Sequence, residues 1–589
     1  MPEHTSETAV KTVAETNKPP AEYPLADGRV AIHDPAIAEE NGVYYIFGTH
    51  RRFAKSRDLV HWERFDNNLS RDPHALLDEI WHNWPSQPEN PELEGNTWAP
   101  DVIWNETMRR WCMYLSVNGA NFRSVIVLLT ADHLDGDWTY VGPVVYSGFT
   151  PDNVRLTDVP RVLGDEAYGN LARYQSLKDT HINAIDATPI QCEHGEIWMS
   201  VGSWFGGIWM FRLDPATGLR DYTTRYPLVK NAADPYYGVK VAGGYWNSGE
   251  GSYFVRENGW WYLFMSYGWL GREGGYQIRL FRSKNLVGPY FDQNGNPAIS
   301  SGEIPDNHTR GTGIRLTSSV KWSGGPTRDE EVEVSQGHNS ALRRSSDGRL
   351  FLVYHTRFIA RAEEDYETHI RELLPTPDGW LAAASYEYQG VPATAPTAQE
   401  QLTGEYEIVM HDPHTFFNGK RREDGSWEGV NAPRTITLHE DGRVTEGDVV
   451  SFYDTSAANM PRGTDGPATC GSWRLLGVSG AVAVPTPSET ASPTPSETAG
   501  PNPSTTAHPD VCNPQSNATT DIASATSAAP RPLRESMWRP SCCRAEMAIT
   551  VDDVTYTGVF AVLPRETDGR PTLTFTAIGG NRALWGARL

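Results

Sequence analysis

Between about residues 29 and 390, short apolar runs alternate with polar turns, and one phrase recurs. An apolar stretch carries a single ionisable residue, a turn of Gly or charged residues follows, and a second apolar stretch comes next. The first instance is Ala31-Ile32-His33-Asp34-Pro35-Ala36-Ile37, the Asn41-Gly42 turn, then Tyr44-Tyr45-Ile46-Phe47-Gly48. Asp101 lies in Ala99-Pro100-Asp101-Val102-Ile103 before Trp111-Cys112-Met113-Tyr114-Leu115, and Asp186 in Ile185-Asp186-Ala187-Thr188-Pro189-Ile190 before Ile197-Trp198-Met199-Ser200. Glu250 lies in Gly249-Glu250-Gly251-Ser252-Tyr253-Phe254 before Trp261-Tyr262-Leu263-Phe264, and His338 in Gly337-His338-Asn339-Ser340-Ala341-Leu342 before Leu350-Phe351-Leu352-Val353-Tyr354.

From the ionisable residue to the second stretch the offset is 10 (34 to 44), 10 (101 to 111), 11 (186 to 197), 11 (250 to 261) and 12 (338 to 350). A supersecondary unit of short strands repeated at this scale predicts a β-propeller, and five phrases predict five blades. The first strand of each blade lines the central channel. Asp34, Asp101, Asp186, Glu250 and His338 should therefore converge on one axis, an expensive arrangement unless it serves chemistry or holds a cation.

The rest of the chain reads by composition and alternation. Residues 1–28 are polar, with no apolar core to make a signal peptide, and are expected to be a disordered tail. The segment from Ser70 to Asn96 reads as a long loop, and lengths of that kind usually serve function. Leu373-Leu374 and Trp380-Leu381-Ala382 complete the last blade, so the propeller spans 29–390, and 391–401 is a linker. Residues 402–589 hold short alternating strands, among them Gly404 to Val409, Gly471 to Leu475, Ala548 to Val551, Tyr556 to Phe560 and Thr572 to Phe575. They predict a small β-barrel. A Pro/Ser/Thr-rich insertion at about 481–545, in which Pro485 to Ala491 recurs as Pro493 to Ala499, interrupts the barrel and is expected to be disordered.

The formal charge of −23 argues against nucleic acid or an anionic membrane as partner and suits a neutral polymer. The aromatic load of 20 Trp, 25 Tyr and 18 Phe suits strands and flat sugar-binding surfaces. No apolar run is long enough for a transmembrane helix. Cys112 and Cys192 sit in predicted strands and are expected to be buried thiols, and six cysteines do not make a disulfide framework. If Met1 is the native start, the lack of a leader predicts an intracellular protein, and a trimmed chain predicts a secreted one; a monomer is expected.

The propeller phrases resemble glycoside hydrolase family 43, most closely its endo-α-1,5-L-arabinanases. The motifs are His33-Asp34-Pro35, Thr97-Trp98-Ala99-Pro100-Asp101, Asn183-Ala184-Ile185-Asp186, Gly202-Ser203-Trp204-Phe205-Gly206-Gly207, Glu250-Gly251-Ser252-Tyr253, Gly337-His338-Asn339-Ser340 and Val353 to Phe358. The C-terminal region resembles the lipocalin-like barrel appended to some arabinanases. Two departures stand out: Asp186-Ala187-Thr188-Pro189 where the family commonly has Asp-Pro, and Ser203-Trp204-Phe205 where it usually has Ser-Phe-Trp.

The resemblance implies an inverting mechanism, with Asp34 as general base, Glu250 as general acid and Asp186 tuning and orienting the acid. Inversion needs a protonated acid at the leaving oxygen and a base on the opposite face, about 6.5–9.5 Å apart. A third carboxylate near Glu250 disfavours a second negative charge and so favours the protonated acid. The same resemblance implies a largely water-coordinated calcium ion on the axis beside His338, since imidazole is a poor direct calcium ligand. Asp101 shares the channel without a role beyond structure or the surroundings of that ion. Trp98 is the expected sugar platform, with Phe122, Trp204 and Phe205 as companions, Asn183 and Ser203 as hydroxyl partners, and Arg357 as a residue reaching the sugar. The expected activity is hydrolysis of α-1,5-L-arabinan or arabino-oligosaccharides. The rivals are an exo-acting α-L-arabinofuranosidase or β-xylosidase on the same fold, and a non-catalytic carbohydrate-binding propeller.

Overall fold

The computed structural model describes residues 28–589 apart from 86–95, 121, 165–170, 177–178, 247–248, 303–310, 323–331, 364, 397–401, 432, 447–449, 454–460, 466–467 and 480–543. The expected tail, the second half of the linker, nearly all of the insertion, and Cys512, Cys542 and Cys543 lie outside the described residues. At the far edge of the insertion Arg544 and Ala545 already belong to the barrel strand Arg544–Val551.

The fold is all-β and propeller-like, with a closed eight-stranded barrel. The first phrase forms the antiparallel meander Ala36–Glu40, Val43–Gly48, Arg52–Ser56 and Trp62–Arg64. The second forms Thr97–Asn105, Arg110–Ala120, Arg123–Ala131 and Thr139–Tyr146. The third is a five-stranded sheet built on Thr188–Gln191, Ile197–Val201 and Ile208–Leu213, and the last runs from Glu333–Arg343 to Leu381–Ala383.

The fourth phrase departs from expectation. Its strands Glu250–Glu257, Trp260–Tyr267, Gln277–Ser283 and Ile314–Arg315 do not close a sheet of their own. Arg315 pairs in parallel with Arg582, and the sheet runs on into the barrel as one twelve-stranded surface. Four propeller sheets, not five, therefore stand separately. A two-residue fourth strand leaves an edge that the barrel covers, one remedy for an exposed sheet edge.

The barrel closes through pairing of Pro571–Gly579 with Arg582–Arg588. Its seat on the last propeller sheet is polar at the backbone and aromatic at the centre. Trp585 Nε1 and Thr576 Oγ1 both donate to the Ala383 carbonyl, at 2.9 and 2.8 Å, and Ser385 Oγ donates to the Phe575 carbonyl at 3.0 Å. The buried Arg279 guanidinium donates to the carbonyls of Thr312 and Pro413 at 2.7 and 2.9 Å, tying the fourth sheet to the loop after Gly404–Met410.

The chain's start closes the ring. Thr368 N–H donates to the Val30 carbonyl and Thr368 Oγ1 to the Ile32 carbonyl, both at 2.9 Å. Val30, Ile32 and Ile46 pack in one cluster with Phe351, Val353 and Ile370 of the last sheet.

The segment expected as a long loop after Ser70 is partly helical: Asn68–Arg71, capped by Asn67, then His74–Asn83. Leu77, Ile80, Trp81 and Trp84 recur at helical spacing and are buried. Cys112 is a buried free thiol as expected, whereas Cys192 is disulfide-bonded. Among the described residues no helix is long and apolar enough to cross a membrane.

Candidate active site

The inner strands are interrupted where the chemistry lies. Pairing slips between Trp98 and Asp101, between Glu250 and Tyr253, and on both sides of Gly337. A bulge of this kind re-aims a side chain. Asp34, Asp186 and His338 take left-handed backbone angles, φ 53°, 58° and 45°, and Gly251 takes +58°. Non-glycine residues there carry strain, which concentrates at functional sites. Slips of register or left-handed angles turn Asp34, Asp101, Asp186 and His338 toward the axis, and Glu250 is not among the residues that line it. The space on the axis is lined by Asp34, Asp101, Asp186 and His338 with Ala99, Gly251 and Tyr253, and offers about 20 Å³ to water centres, room for one water or one ion.

Asp34 is 8% exposed and the most elaborately held of the carboxylates. Oδ1 lies 2.9 Å from His33 Nδ1 and 3.0 Å from His338 Nδ1, and Oδ2 accepts from Thr49 Oγ1. Thr49 Oγ1 in turn accepts from the Ala99 N–H at 3.0 Å. Burial alone would raise the Asp34 carboxyl; the charges and hydrogen bonds of His33 and His338 outweigh it and hold the group well below the carboxylate range. Asp34 stays ionised.

Asp186 behaves oppositely. Burial, with the Glu250 and Asp34 charges adding, pushes it up to about 7, against the pull of His338 and of the Gly251 N–H that donates to its Oδ2 at 3.2 Å. Burial would lower His338, but Asp34 and Asp186 bring it up to about 10. Asp101, buried and accepting the Val102 N–H on Oδ1 at 2.8 Å, is raised to about 8, chiefly by burial.

Glu250 is partly exposed and receives three donors. Ser203 Oγ and Trp204 Nε1 donate to Oε2, both at 2.9 Å, and Tyr276 OH donates to Oε1 at 2.7 Å. The donors come from the loop between Ile197–Val201 and Ile208–Leu213 and from the residue just before Gln277–Ser283, so the carboxyl is oriented from two sides. The inverted order Ser203-Trp204-Phe205 puts an indole N–H where phenylalanine would offer none.

An aromatic row runs beside this group. Phe122 stacks on His181 at 3.8 Å, Phe205 lies 4.3 Å from Phe122, and Trp246, 48% exposed, packs edge-on against Phe205 at 4.7 Å. Phe122, Trp204, Phe205, Tyr245 and Trp246 all have positive φ. Trp98 is half-buried just before the bulge that turns Asp101. Asn183 is buried, receives Ser124 Oγ and bridges to Ser203 through the backbone. Arg357 stands apart: its guanidinium donates to the carbonyls of Leu270 and Glu363, and it is 7% exposed.

Several residues of the site escape a sequence reading. Thr49 has one signal, its place directly after the second strand of the first phrase. Tyr276 and Trp246 have none, because each reaches the site across another sheet or loop. His355 is fully buried and stacks on His33 at 3.8 Å, and Asp34 N–H donates to its Nδ1 at 3.3 Å. Burial holds its pKa well below the histidine range, so it is neutral.

Two donor sets bear on a metal. His33, Asp34 and His355 bring ligand atoms within 4.8 Å of one another, a nitrogen-rich set that suits a transition metal better than calcium. The axial space beside His338, with Asp34, Asp101 and Asp186 on its walls, is oxygen-rich and one ion wide, and fits a hard cation that keeps part of its water.

The family model of Glycosyl hydrolases family 43 matches residues 25–158 and 164–381. An extracellular endo-alpha-(1->5)-L-arabinanase of Thermotoga petrophila is 32% identical over 435 residues, 72% of this chain and 83% of the relative. Extracellular endo-alpha-(1->5)-L-arabinanase 2 of Bacillus subtilis is 32% identical over 391 residues, 65% of this chain and 76% of the relative. The crystal structure of the Thermotoga petrophila endo-1,5-alpha-L-arabinanase with TRIS superposes with a TM-score of 0.65 at 25% identity, covering 95% of this chain and 99% of that one. With the family model matching more than half of its length, the chain belongs to glycosyl hydrolases family 43 and is a glycoside hydrolase.

Proposed function

We propose that the protein hydrolyses α-1,5-linked L-arabinan or its oligosaccharides with inversion, Asp34 acting as general base and Glu250 as general acid. The observation that carries this reading is the contrast between the two carboxylates. Asp34 is buried and held ionised by two imidazoles, fit to draw a proton from water. Glu250 is more exposed, clamped by Ser203, Trp204 and Tyr276, and fit to deliver a proton to a leaving oxygen at a defined point. Asp186 stands between them and sets the local charge. The arabinan substrate rests on the names of the relatives and on the aromatic surface.

We read the fourth phrase as a fifth blade joined to the barrel. The inner strands pack in a closed ring, Ala36–Glu40 on Thr97–Asn105, on Thr188–Gln191, on Glu250–Glu257, on Glu333–Arg343 and back, which supports that count. Trp98, Phe122, Trp204 and Phe205 would carry the sugar faces, with Asn183 and Ser203 near the hydroxyls. A calcium ion on the axis would be held among His338, Asp34, Asp101 and Asp186 and would supply fixed positive charge. A loaded protein should lose thermal stability on chelation and contain calcium by elemental analysis; absence of calcium from active protein removes the ion from this account.

A product time course on arabinan and on aryl glycosides tests the reading. Endo action should release intermediate oligosaccharides early. Exclusive early monosaccharide would place the protein among exo-acting enzymes, and no release from any substrate would make it a binding propeller.

A further inference from the structure

The outer end of the fourth sheet carries a feature that catalysis does not use. An open groove of about 510 Å³ lies over Trp260, Trp380 and Phe291, within the size range of ligand sites. Trp260 pairs with Glu257, seven residues along the strand from Glu250, which places the groove about 20 Å from the candidate acid by strand rise alone.

Two cations line it. The Arg282 guanidinium lies 4.2 Å from the Trp260 ring and 4.0 Å from the Trp380 ring, and its Nη1 donates to the carbonyls of Asp378 and Gly379, both at 3.0 Å. The Lys284 ammonium lies 3.5 Å from the same Trp260 ring and donates to the Gly259 carbonyl at 3.3 Å. Neither cation has an acidic partner among the described residues, although the chain carries a net charge of −23. Two acids, Asp292 and Asp378, line the same groove and are held by neutral donors. Asp292 is buried and receives Asn294 N–H, Asn296, Gly313 N–H and Asn581, and Asp378 receives Thr376 Oγ1 at 2.6 Å. Phe291, 39% exposed, offers a ring at the rim.

A guanidinium held between two indoles is pre-organised, so binding immobilises little more of it, and its planar edge matches a carboxylate. The exposed Phe291 ring suits a pyranose or furanose face, and the Arg282 and Lys284 charges, which form no ion pair among the described residues, suit an anion. We propose that this groove is a second saccharide site, recognising a sugar ring that bears a carboxylate, as in a uronate-containing glycan. Its existence does not rest on the catalytic assignment. It would hold the protein on an acidic polysaccharide while the axial site works on a neutral chain.

Calorimetric titration of the full-length Glu250→Gln protein with oligogalacturonate, neutral arabino-oligosaccharide and inorganic phosphate, singly and in competition, tests the proposal. Oligogalacturonate should bind at one site, more weakly as salt rises, and arabino-oligosaccharide should not displace it. Lys284→Gln and Phe291→Ala, both on exposed side chains, should each weaken that binding by about fivefold or more and leave arabinan hydrolysis by the otherwise native enzyme unchanged. Four results overturn it: no binding of oligogalacturonate, equally tight binding of phosphate, displacement by arabino-oligosaccharide, or parental affinity in both variants.

Discussion

Trp204 is the residue at which this chain departs from its relatives' usual motif and touches the candidate acid. Its indole N–H is one of two donors on Glu250 Oε2. Trp204→Phe keeps the ring and removes the bond, so kcat on arabinan should fall by about tenfold, the scale of one charge-assisted hydrogen bond, with a smaller change in KM. An unchanged kcat would show that the indole serves only as a surface. Asp186 yields a stability prediction. Burial, with Glu250 and Asp34 adding, raises its folded-state pKa to about 7, above the ordinary carboxyl value. The folded state then holds the proton more tightly, so the stabilising contribution is complete at low pH and is lost as pH rises through 7. Asp186→Asn, which cannot ionise, should gain on the parent by about 2–4 kcal/mol between pH 4 and pH 8, as read from denaturant unfolding at each pH. A constant difference would mean that Asp186 titrates normally. At this scale the repeat made Asp34, Asp101, Asp186 and His338 legible as residues of the axial space and singled out Glu250, which does not line it. It was silent on Thr49, Tyr276 and Trp246, whose contacts depend on how sheets face one another and not on any local pattern.

At the scale of single elements, the bulged inner strand decides where the chemistry points. Gly337 sits between two slips of register, and a Cβ there would lie 2.0 Å from Tyr276 Cε1. Gly337→Ala must displace the ring whose hydroxyl holds Glu250 Oε1. We expect a loss of about 1–3 kcal/mol in stability, as for overpacking elsewhere, and a larger proportional loss of kcat, measured by thermal unfolding and steady-state kinetics together. Loss of stability with intact kcat would show that Tyr276 is not needed to position the acid. Elements with a strong period were readable, as in the barrel strands. The helix His74–Asn83 was not, because Pro73 and the Pro-rich stretch after Trp84 outweighed four buried residues at helical spacing. The strand Ile314–Arg315 is too short to have a period, and with it the merger of the fourth sheet and the barrel stayed hidden.

At the scale of the whole molecule, that merger makes the barrel part of the catalytic domain's framework. Trp585 is 2% exposed, donates to Ala383 and packs 4.8 Å beneath the Arg371 guanidinium. Trp585→Ala should cost about 3–5 kcal/mol, and calorimetry should show one unfolding transition in the parent that splits in the variant. Two separate transitions in the parent would show that the barrel is an independent passenger.

The central claim is the division of labour between Asp34 and Glu250, and leaving-group dependence tests it most directly. Arabinan departs as an alkoxide and needs a proton, whereas an activated aryl arabinofuranoside does not. Glu250→Gln should therefore lose about 10²–10⁴-fold on arabinan and far less on the aryl glycoside, while Asp34→Asn should lose comparably on both, since water must be activated in either case. The same substrate dependence in the two variants, or rescue of Asp34→Asn by the good leaving group, would contradict the assignment.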